Sequence, residues 1–235
     1  MKHFYRYVVL PALLLWATQV YAGGNDDPFL VMGKVDQLEL RQTEGDDPVA
    51  FEGQLWAGHD LNKLWLKVDS ERVDGDYEEL ELQALYSRAV TPFWNLQVGA
   101  RRDIKPEPDR NWAVLTLQGL APYQFEVEAS LFVGESGRTA LRLVSEYEML
   151  LTQRLILSPE VELNVYGHND PDTGVGSGLA DVQAGLRLRY EMRREFAPYI
   201  GLNWQKRYGN SADLAAAEGD DIEDLQFVVG LRMWF

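Results

Sequence analysis

The sequence predicts an all-β protein, an antiparallel transmembrane β-barrel of 12 strands, with 10 as the alternative count. Three observations predict it. From about residue 30 apolar and polar residues alternate, the period of a strand whose side chains point to opposite faces. The alternating runs reach 10 residues or more, whereas soluble strands average about 5–6 residues and a bilayer-crossing strand needs about 9–11. Beyond residue 22, no stretch carries the roughly 18 consecutive apolar residues of a membrane-crossing helix.

Along the chain, residues 1–22 read as a secretory signal peptide. Lys2 and Arg6 supply its positive start, residues 8–17 its short apolar run, and Val20-Tyr21-Ala22 the small residues before a cut. Residues 23–29 form a short periplasmic N-terminal segment and 30–235 the barrel. Strands are expected at 30–42, 48–57, 61–73, 76–90, 93–104, 110–120, 123–134, 138–150, 153–166, 179–193, 197–207 and 224–235. The first two are the least regular, because Gly53 and the mixed run 31–36 blur the alternation. Without them the barrel has 10 strands and a periplasmic arm.

The alternation assigns faces. In 123–133, Tyr123, Phe125, Val127, Ala129, Leu131 and Val133 share one face, with Gln124, Glu126, Glu128 and Ser130 on the other. In 182–193, Val182, Ala184, Leu186, Leu188, Tyr190 and Met192 oppose Gln183, Gly185, Arg187, Arg189, Glu191 and Arg193. In the last strand Phe227, Val229, Leu231, Met233 and Phe235 oppose Gln226, Gly230 and Arg232. The apolar face meets lipid and the charged face lines the lumen. Thr91-Pro92-Phe93, Ala121-Pro122-Tyr123 and Ala197-Pro198-Tyr199 read as short periplasmic turns with the aromatic at the membrane interface. The longer acidic connections 43–48, 103–110, 168–178 and 208–224 read as outer loops, with Asp74-Gly75 a tight hairpin on that side. The terminal Trp234-Phe235 resembles the closing signature of bacterial outer-membrane barrels.

Composition narrows the function. Lys and Arg number 22 against 37 Asp and Glu, a net charge of −15, which argues against a nucleic-acid binder. Removing Lys2 and Arg6 with the signal peptide makes the mature charge −17. The absence of cysteine excludes disulfides, a thiol nucleophile and Cys-ligated metal. An enzyme is not indicated. Ser177 stands nine residues from His168 with no triad pattern, Asp74-Gly75-Asp76 is too short for an EF loop, and residues 174–178 lack a phosphate-binding context.

Several segments in fixed order carry a family resemblance. They include Val35-Asp36-Gln37-Leu38-Glu39, Asp60-Leu61-Asn62-Lys63-Leu64-Trp65-Leu66-Lys67, Gln83-Ala84-Leu85-Tyr86-Ser87-Arg88-Ala89 and Thr91-Pro92-Phe93-Trp94-Asn95-Leu96-Gln97. Further on come Gln118-Gly119-Leu120-Ala121-Pro122-Tyr123, Leu150-Leu151-Thr152-Gln153-Arg154-Leu155-Ile156-Leu157, Gly185-Leu186-Arg187-Leu188-Arg189-Tyr190-Glu191 and Arg194-Glu195-Phe196-Ala197-Pro198-Tyr199. From about residue 30 to the end, the chain resembles the copper resistance protein B family of outer-membrane proteins. The resemblance implies a barrel of the Gram-negative outer membrane taking part in copper homeostasis or resistance. It implies copper ions as ligand or cargo. Outer-membrane lipid, lipopolysaccharide and a periplasmic copper protein are the expected partners, and nucleic acid is not. Members commonly carry a Met- and His-rich stretch before the barrel; residues 23–34 here hold one Met and no His.

The candidate metal ligands are His59, His168 and Met32, because imidazole suits copper and thioether suits Cu(I). His59 falls in a periplasmic turn beside Asp60, where it could equally cap the turn. His168 falls in an outer loop near Asp170 and Asp172, where it could equally be a solvated loop residue. Met149, Met192 and Met233 fall on the lipid face. In the lumen, Glu126, Glu128, Glu146 and Glu148 form a candidate cation path, with Arg142, Arg187 and Arg189 as basic partners. Two outcomes are open: acids and bases pair into a plug, or the acidic stripe guides cations. The loop carboxylates Asp46, Asp47, Asp170, Asp172, Asp220, Asp221, Glu223 and Asp224 would raise the local cation concentration.

Overall fold

Strict alternation gives each strand one face that lipid can cover and one that it cannot, and backbone groups in a bilayer must all be paired. The chain meets both demands by closing its sheet. The structure, a computed structural model, describes residues 27–43 and 47–235; the expected signal peptide and Asp46 lie outside the described residues. The strands are β1 (Leu30–Gln42), β2 (Val49–Gly58), β3 (Asn62–Val73), β4 (Asp76–Thr91), β5 (Trp94–Lys105), β6 (Arg110–Ala121), β7 (Phe125–Gly134), β8 (Thr139–Glu146, continued by Met149–Leu150), β9 (Leu155–Tyr166), β10 (Gly178–Tyr190), β11 (Phe196–Arg207) and β12 (Glu223–Trp234). Each pairs antiparallel with its sequence neighbours, and Met149–Leu150 pairs with the same strand as the rest of β8. β12 returns to β1, from Lys34 opposite Trp234 to Gln42 opposite Phe227, closing a 12-stranded barrel. The 10-strand alternative is thereby overturned: the two irregular strands belong to the wall.

The seam is tight at its end. Gly33 and Phe235 exchange both backbone hydrogen bonds at 2.9 Å. The Phe235 ring lies where a side chain on Gly33 would begin, 2.7 Å from an ideal Cβ. Gly33→Val should therefore displace the ring and weaken the seam by about 1–3 kcal/mol, seen as a lower temperature at which the folded band is lost on an unheated gel.

Three local expectations need correction. Alternation blurs in β1 because of a bulge between Val35 and Gln37, and the extra residue shifts the inward face from even to odd numbers. Ala197-Pro198-Tyr199 is strand rather than turn. The β10–β11 ladder ends at Arg189 opposite Tyr199, so Pro198 occupies a place where no N–H is needed on that side. Tyr199 points inward and is buried, unlike the exposed Phe93 and Tyr123 of the two true turns. Third, β10 stops at Tyr190, which leaves Met192 and Arg193 in the following turn.

The start of β1 and the end of β12 share one end with short turns, and the long connections after β9 and β11 occupy the other together with the tight Asp74-Gly75 hairpin, the arrangement of periplasmic and outer ends. The longest connection contains a helix, α1 (Gly209–Glu218), ended by Gly219 in the left-handed conformation at φ 89°. Outside, Leu40, Leu64, Leu115, Leu131, Ile200 and Val229 stand exposed as a lipid coat. Inside, Leu85, Trp112, Val114, Phe132 and Ala140 form a buried apolar cluster, with Trp65 and Tyr166 against it.

Candidate functional site

The lumen is built from inward positions of all twelve strands. The β1 bulge turns both Asp36 and Gln37 toward it: Asp36 meets Lys34 at 2.5 Å and Arg232 at 3.7 Å and accepts a hydrogen bond from Gln54, while Gln37 accepts one from Arg41. Above them Glu39, with its side chain fully buried, accepts from Arg41 at 3.0 Å and from Arg187 at 2.6 Å.

Ion pairs strap the walls together across the lumen. Lys67 on β3 reaches Glu128 on β7 at 2.7 Å. Arg142 on β8 reaches Glu81 on β4 at 3.0 Å and Glu162 at 3.3 Å. Arg232 on β12 reaches Glu146 at 3.0 Å and Glu148 at 3.3 Å on β8, and Arg189 reaches Glu148 at 2.7 Å. The straps from Lys67 to Glu128, Arg142 to Glu81 and Arg232 to Glu146 each join strands four places apart. Arg101 joins Glu81 at 2.8 Å, and the guanidinium groups of Arg101 and Arg142 lie over the Phe132 ring at 4.6 and 5.7 Å, a cation–π arrangement that orients both toward Glu81.

The straps leave two cavities. The outer one, about 910 Å³, opens among the loops; the inner one, about 510 Å³, lies toward the short turns. Gln37, Glu52, Asp69, Glu81, Arg142, Glu160, Glu162 and Arg187 line both and form the septum between them. Among the described residues, 17 carboxylates against eight Lys and Arg line the outer cavity, so its potential favours cations.

The outer rim is knit. Asp170 accepts from Arg110 at 2.7 and 2.9 Å and meets Arg138 at 3.1 Å. Ser211 of α1 accepts from the Gly176 N–H at 2.8 Å, and Asn210 donates to Ser177 at 2.9 Å. The hydrogen bonds from Arg110 hold the Asp170 carboxyl below the usual aspartate range. Its contribution is therefore fully present above the unfolded aspartate pKa of about 3.9 and is lost as pH falls through the lower folded value. Asp170→Asn should abolish that acid dependence and speed amide exchange across residues 167–177, measured by mass spectrometry from pH 3 to 7.

The structure does not gather the three candidate metal ligands. His59 sits in the β2–β3 turn, its Nδ1 3.1 Å from the Asp27 carbonyl oxygen and its ring edge-on to Phe29. Met32 lies on β1 opposite Trp56. His168 lines the outer cavity, at the opposite end of the barrel. Among the described residues no cluster of three or more His, Asp and Glu is arranged to hold a metal ion. Of the acidic stripe, Glu126 faces Glu146 across neighbouring strands; Glu128, Glu146 and Glu148 have cationic partners, and Glu126 makes no ion pair among the described residues. Sequence reasoning did not single out Glu39, Glu52, Asp36 or Arg232 for the site. Arg232 was legible from the alternation of β12, whereas the bulge in β1 hid the setting of Asp36 and Glu39 and Gly53 blurred the alternation around Glu52.

Comparison with known proteins agrees with this architecture. A family model described as "Copper resistance protein B precursor (CopB)" matches residues 30–235. The chain is 45% identical over 201 residues to a "Copper resistance protein B" of Escherichia coli, covering 86% of this chain and 68% of that protein. It is 45% identical over 200 residues to a "Copper resistance protein B homolog" of Pseudomonas syringae pv. tomato (strain ATCC BAA-871 / DC3000), covering 85% and 68%. Among solved structures it resembles the NanC porin, with a TM-score of 0.57 at 13% identity over 87% of this chain and 99% of that one. It also resembles the KdgM porin, with a TM-score of 0.51 at 13% identity over 86% and 99%. The two porins share the barrel fold.

Proposed function

The chain belongs to the copper resistance protein B family, and on that premise we propose that it serves copper homeostasis in the outer membrane by binding or passing copper ions through its charge-lined lumen, without catalysis. The observation that supports this reading is the excess of carboxylates around the outer cavity, which leads down to the septum. A cavity with one dominant sign of charge concentrates counter-ions and speeds their arrival. His168 would be the imidazole a copper ion meets from outside, and His59 and Met32 would stand near its exit, where a periplasmic copper protein would receive it. The stripe Glu126, Glu128, Glu146 and Glu148 would line the lower path, with Arg142, Arg187 and Arg189 balancing its charge. Lipid and lipopolysaccharide would surround the wall.

The test is a deletion strain complemented by this chain. Copper content and growth in copper should differ between complemented and empty cells; equal values in both would remove the reading. Neutralising the rim with Asp220→Asn, Asp221→Asn and Asp224→Asn should slow copper accumulation roughly tenfold at low ionic strength, and added salt should shrink the difference. A second reading, a structural barrel whose lumen is plugged, is favoured by the straps of Lys67, Arg142 and Arg232.

A further inference from the structure

Acids outnumber bases by 37 to 22 in this chain, so a basic side chain left without a carboxylate needs a reason. The lysines and arginines that line the two cavities all meet a carboxylate at 3.3 Å or closer. Four others do not. Among the described residues the guanidinium groups of Arg88, Arg154, Arg193 and Arg194 make no ion pair, no hydrogen bond and no ring contact. All four are exposed, and all stand at the short-turn end: Arg88 near the close of β4, Arg154 in the turn after β8, Arg193 and Arg194 in the turn after β10. Arg88 faces lipid by the alternation of β4.

Arg154, Arg193 and Arg194 lie on neighbouring turns that the backbone holds together. The Glu191 N–H donates to the Arg154 carbonyl at 2.8 Å. Trp234 of β12 donates from its indole to the Arg194 carbonyl at 2.8 Å and from its backbone to the Glu195 carbonyl at 3.2 Å, which pins the second turn. The turns 151–154 and 191–195 carry two acids. Glu191 lies 3.9 Å from Arg189, and Glu195 is exposed beside Arg194 with no ion pair among the described residues. Three arginines therefore leave these turns net positive. Beside them Leu151, Tyr190, Met192 and Phe196 stand exposed, apolar and aromatic groups of the kind that mark the level of lipid headgroups.

We propose that the turns 151–154 and 191–195 form a binding site for an anionic phospholipid of the periplasmic leaflet, its phosphodiester held by Arg154, Arg193 and Arg194. A planar guanidinium matches two phosphate oxygens at once. A zwitterionic lipid carries its own cation beside the phosphate and gains less. An acidic periplasmic protein fits the charge but not the setting, because the arginines rise from the apolar girdle, at the depth that headgroups occupy. The site lies on the lipid-facing surface and does not depend on what the lumen carries. A lipid seated on both turns ties the β8–β9 hairpin to the β10–β11 hairpin, and its binding adds to the stability of the folded barrel.

The experiment uses the purified full chain in a neutral detergent, mixed with dioleoyl phosphatidylglycerol, dioleoyl phosphatidylcholine or inorganic phosphate. Native mass spectrometry counts bound lipid, and the heating temperature at which the folded gel band is lost reports stability. Wild type should retain phosphatidylglycerol over phosphatidylcholine and be stabilised by it. R154Q/R193Q/R194Q should bind it roughly a hundredfold more weakly, from about 1 kcal/mol for each arginine, and lose the stabilisation. R72Q/R102Q/K105Q, the same charge change at the outer end, should behave as wild type. The folded band without lipid verifies that each variant folds. Equal retention of phosphatidylglycerol by R154Q/R193Q/R194Q and wild type overturns the site, as does equal loss in R72Q/R102Q/K105Q. Equal retention of the two lipids by wild type also overturns it. The same stabilisation by inorganic phosphate alone assigns the turns to a free anion and overturns the lipid. Poly-L-glutamate that binds wild type but not R154Q/R193Q/R194Q in phosphatidylcholine vesicles, with no preference for phosphatidylglycerol, assigns them to an acidic protein and likewise overturns it.

Discussion

Replacing Glu39 by leucine is expected to cost the folded barrel about 3 kcal/mol, the lower end of the loss caused by removing one partner of a buried ion pair. Glu39 is fully buried and serves two guanidinium groups, Arg41 and Arg187. Leucine removes the acceptor and leaves both donors in place. Arg41 keeps Glu71 at 2.9 Å, but among the described residues Arg187 retains only Glu160 at 3.5 Å, so most of the penalty falls on Arg187. Glu39→Gln keeps the shape and one acceptor oxygen and should cost roughly half as much, since it loses charge assistance more than contact. The measurement is the urea midpoint of tryptophan fluorescence for barrels refolded into lipid vesicles. Adding Arg187→Met to Glu39→Leu should recover part of the loss, because a buried pair replaced on both sides by apolar groups is often neutral. No recovery would show that the penalty comes from lost packing instead.

Cutting two straps should change conduction more than stability. Lys67→Ala with Arg232→Ala removes side chains that cross the lumen and frees Glu128 and Glu146. Conductance in planar bilayers should rise because the path widens. Selectivity should move toward cations because two carboxylates lose their counter-charges. A unit charge 4 Å from the path is worth about 1 kcal/mol in water and about 4 kcal/mol at the effective dielectric of a protein surface, so the cation-to-anion permeability ratio should rise at least about tenfold. Reversal potentials in a KCl gradient measure it. An unchanged ratio at raised conductance would mean that these groups lie off the ion path.

The sequence made most of the wall legible. β7 and β12 alternate without a break and β10 does so from Asp181 onward, so the inward positions of Glu126, Glu128, Arg187, Arg189 and Arg232 come directly from counting. β1 could not be read in this way, since one bulge residue changes the parity between Lys34 and Gln37. The α1 helix carried a signal in Leu214-Ala215-Ala216-Ala217-Glu218, good helix formers followed by Gly219, but the acidic neighbours made the segment read as loop. Which acid meets which base was not legible, because Lys67 and Glu128, or Glu39 and Arg187, meet through strand tilt and curvature that one-dimensional spacing does not encode.

The seam between β1 and β12 also bears on how the protein forms. The other wall ladders join strands that are consecutive in sequence and can zip as hairpins soon after their turns form. The seam alone joins segments about 200 residues apart, Lys34 with Trp234. It closes the longest loop of the fold, the costliest single closure, so its formation should set the folding rate. Until it closes, two unpaired edges remain available to another chain. The protein is therefore most prone to aggregate in the interval between hairpin assembly and closure, and substitutions at the seam should alter yield more than they alter the finished barrel.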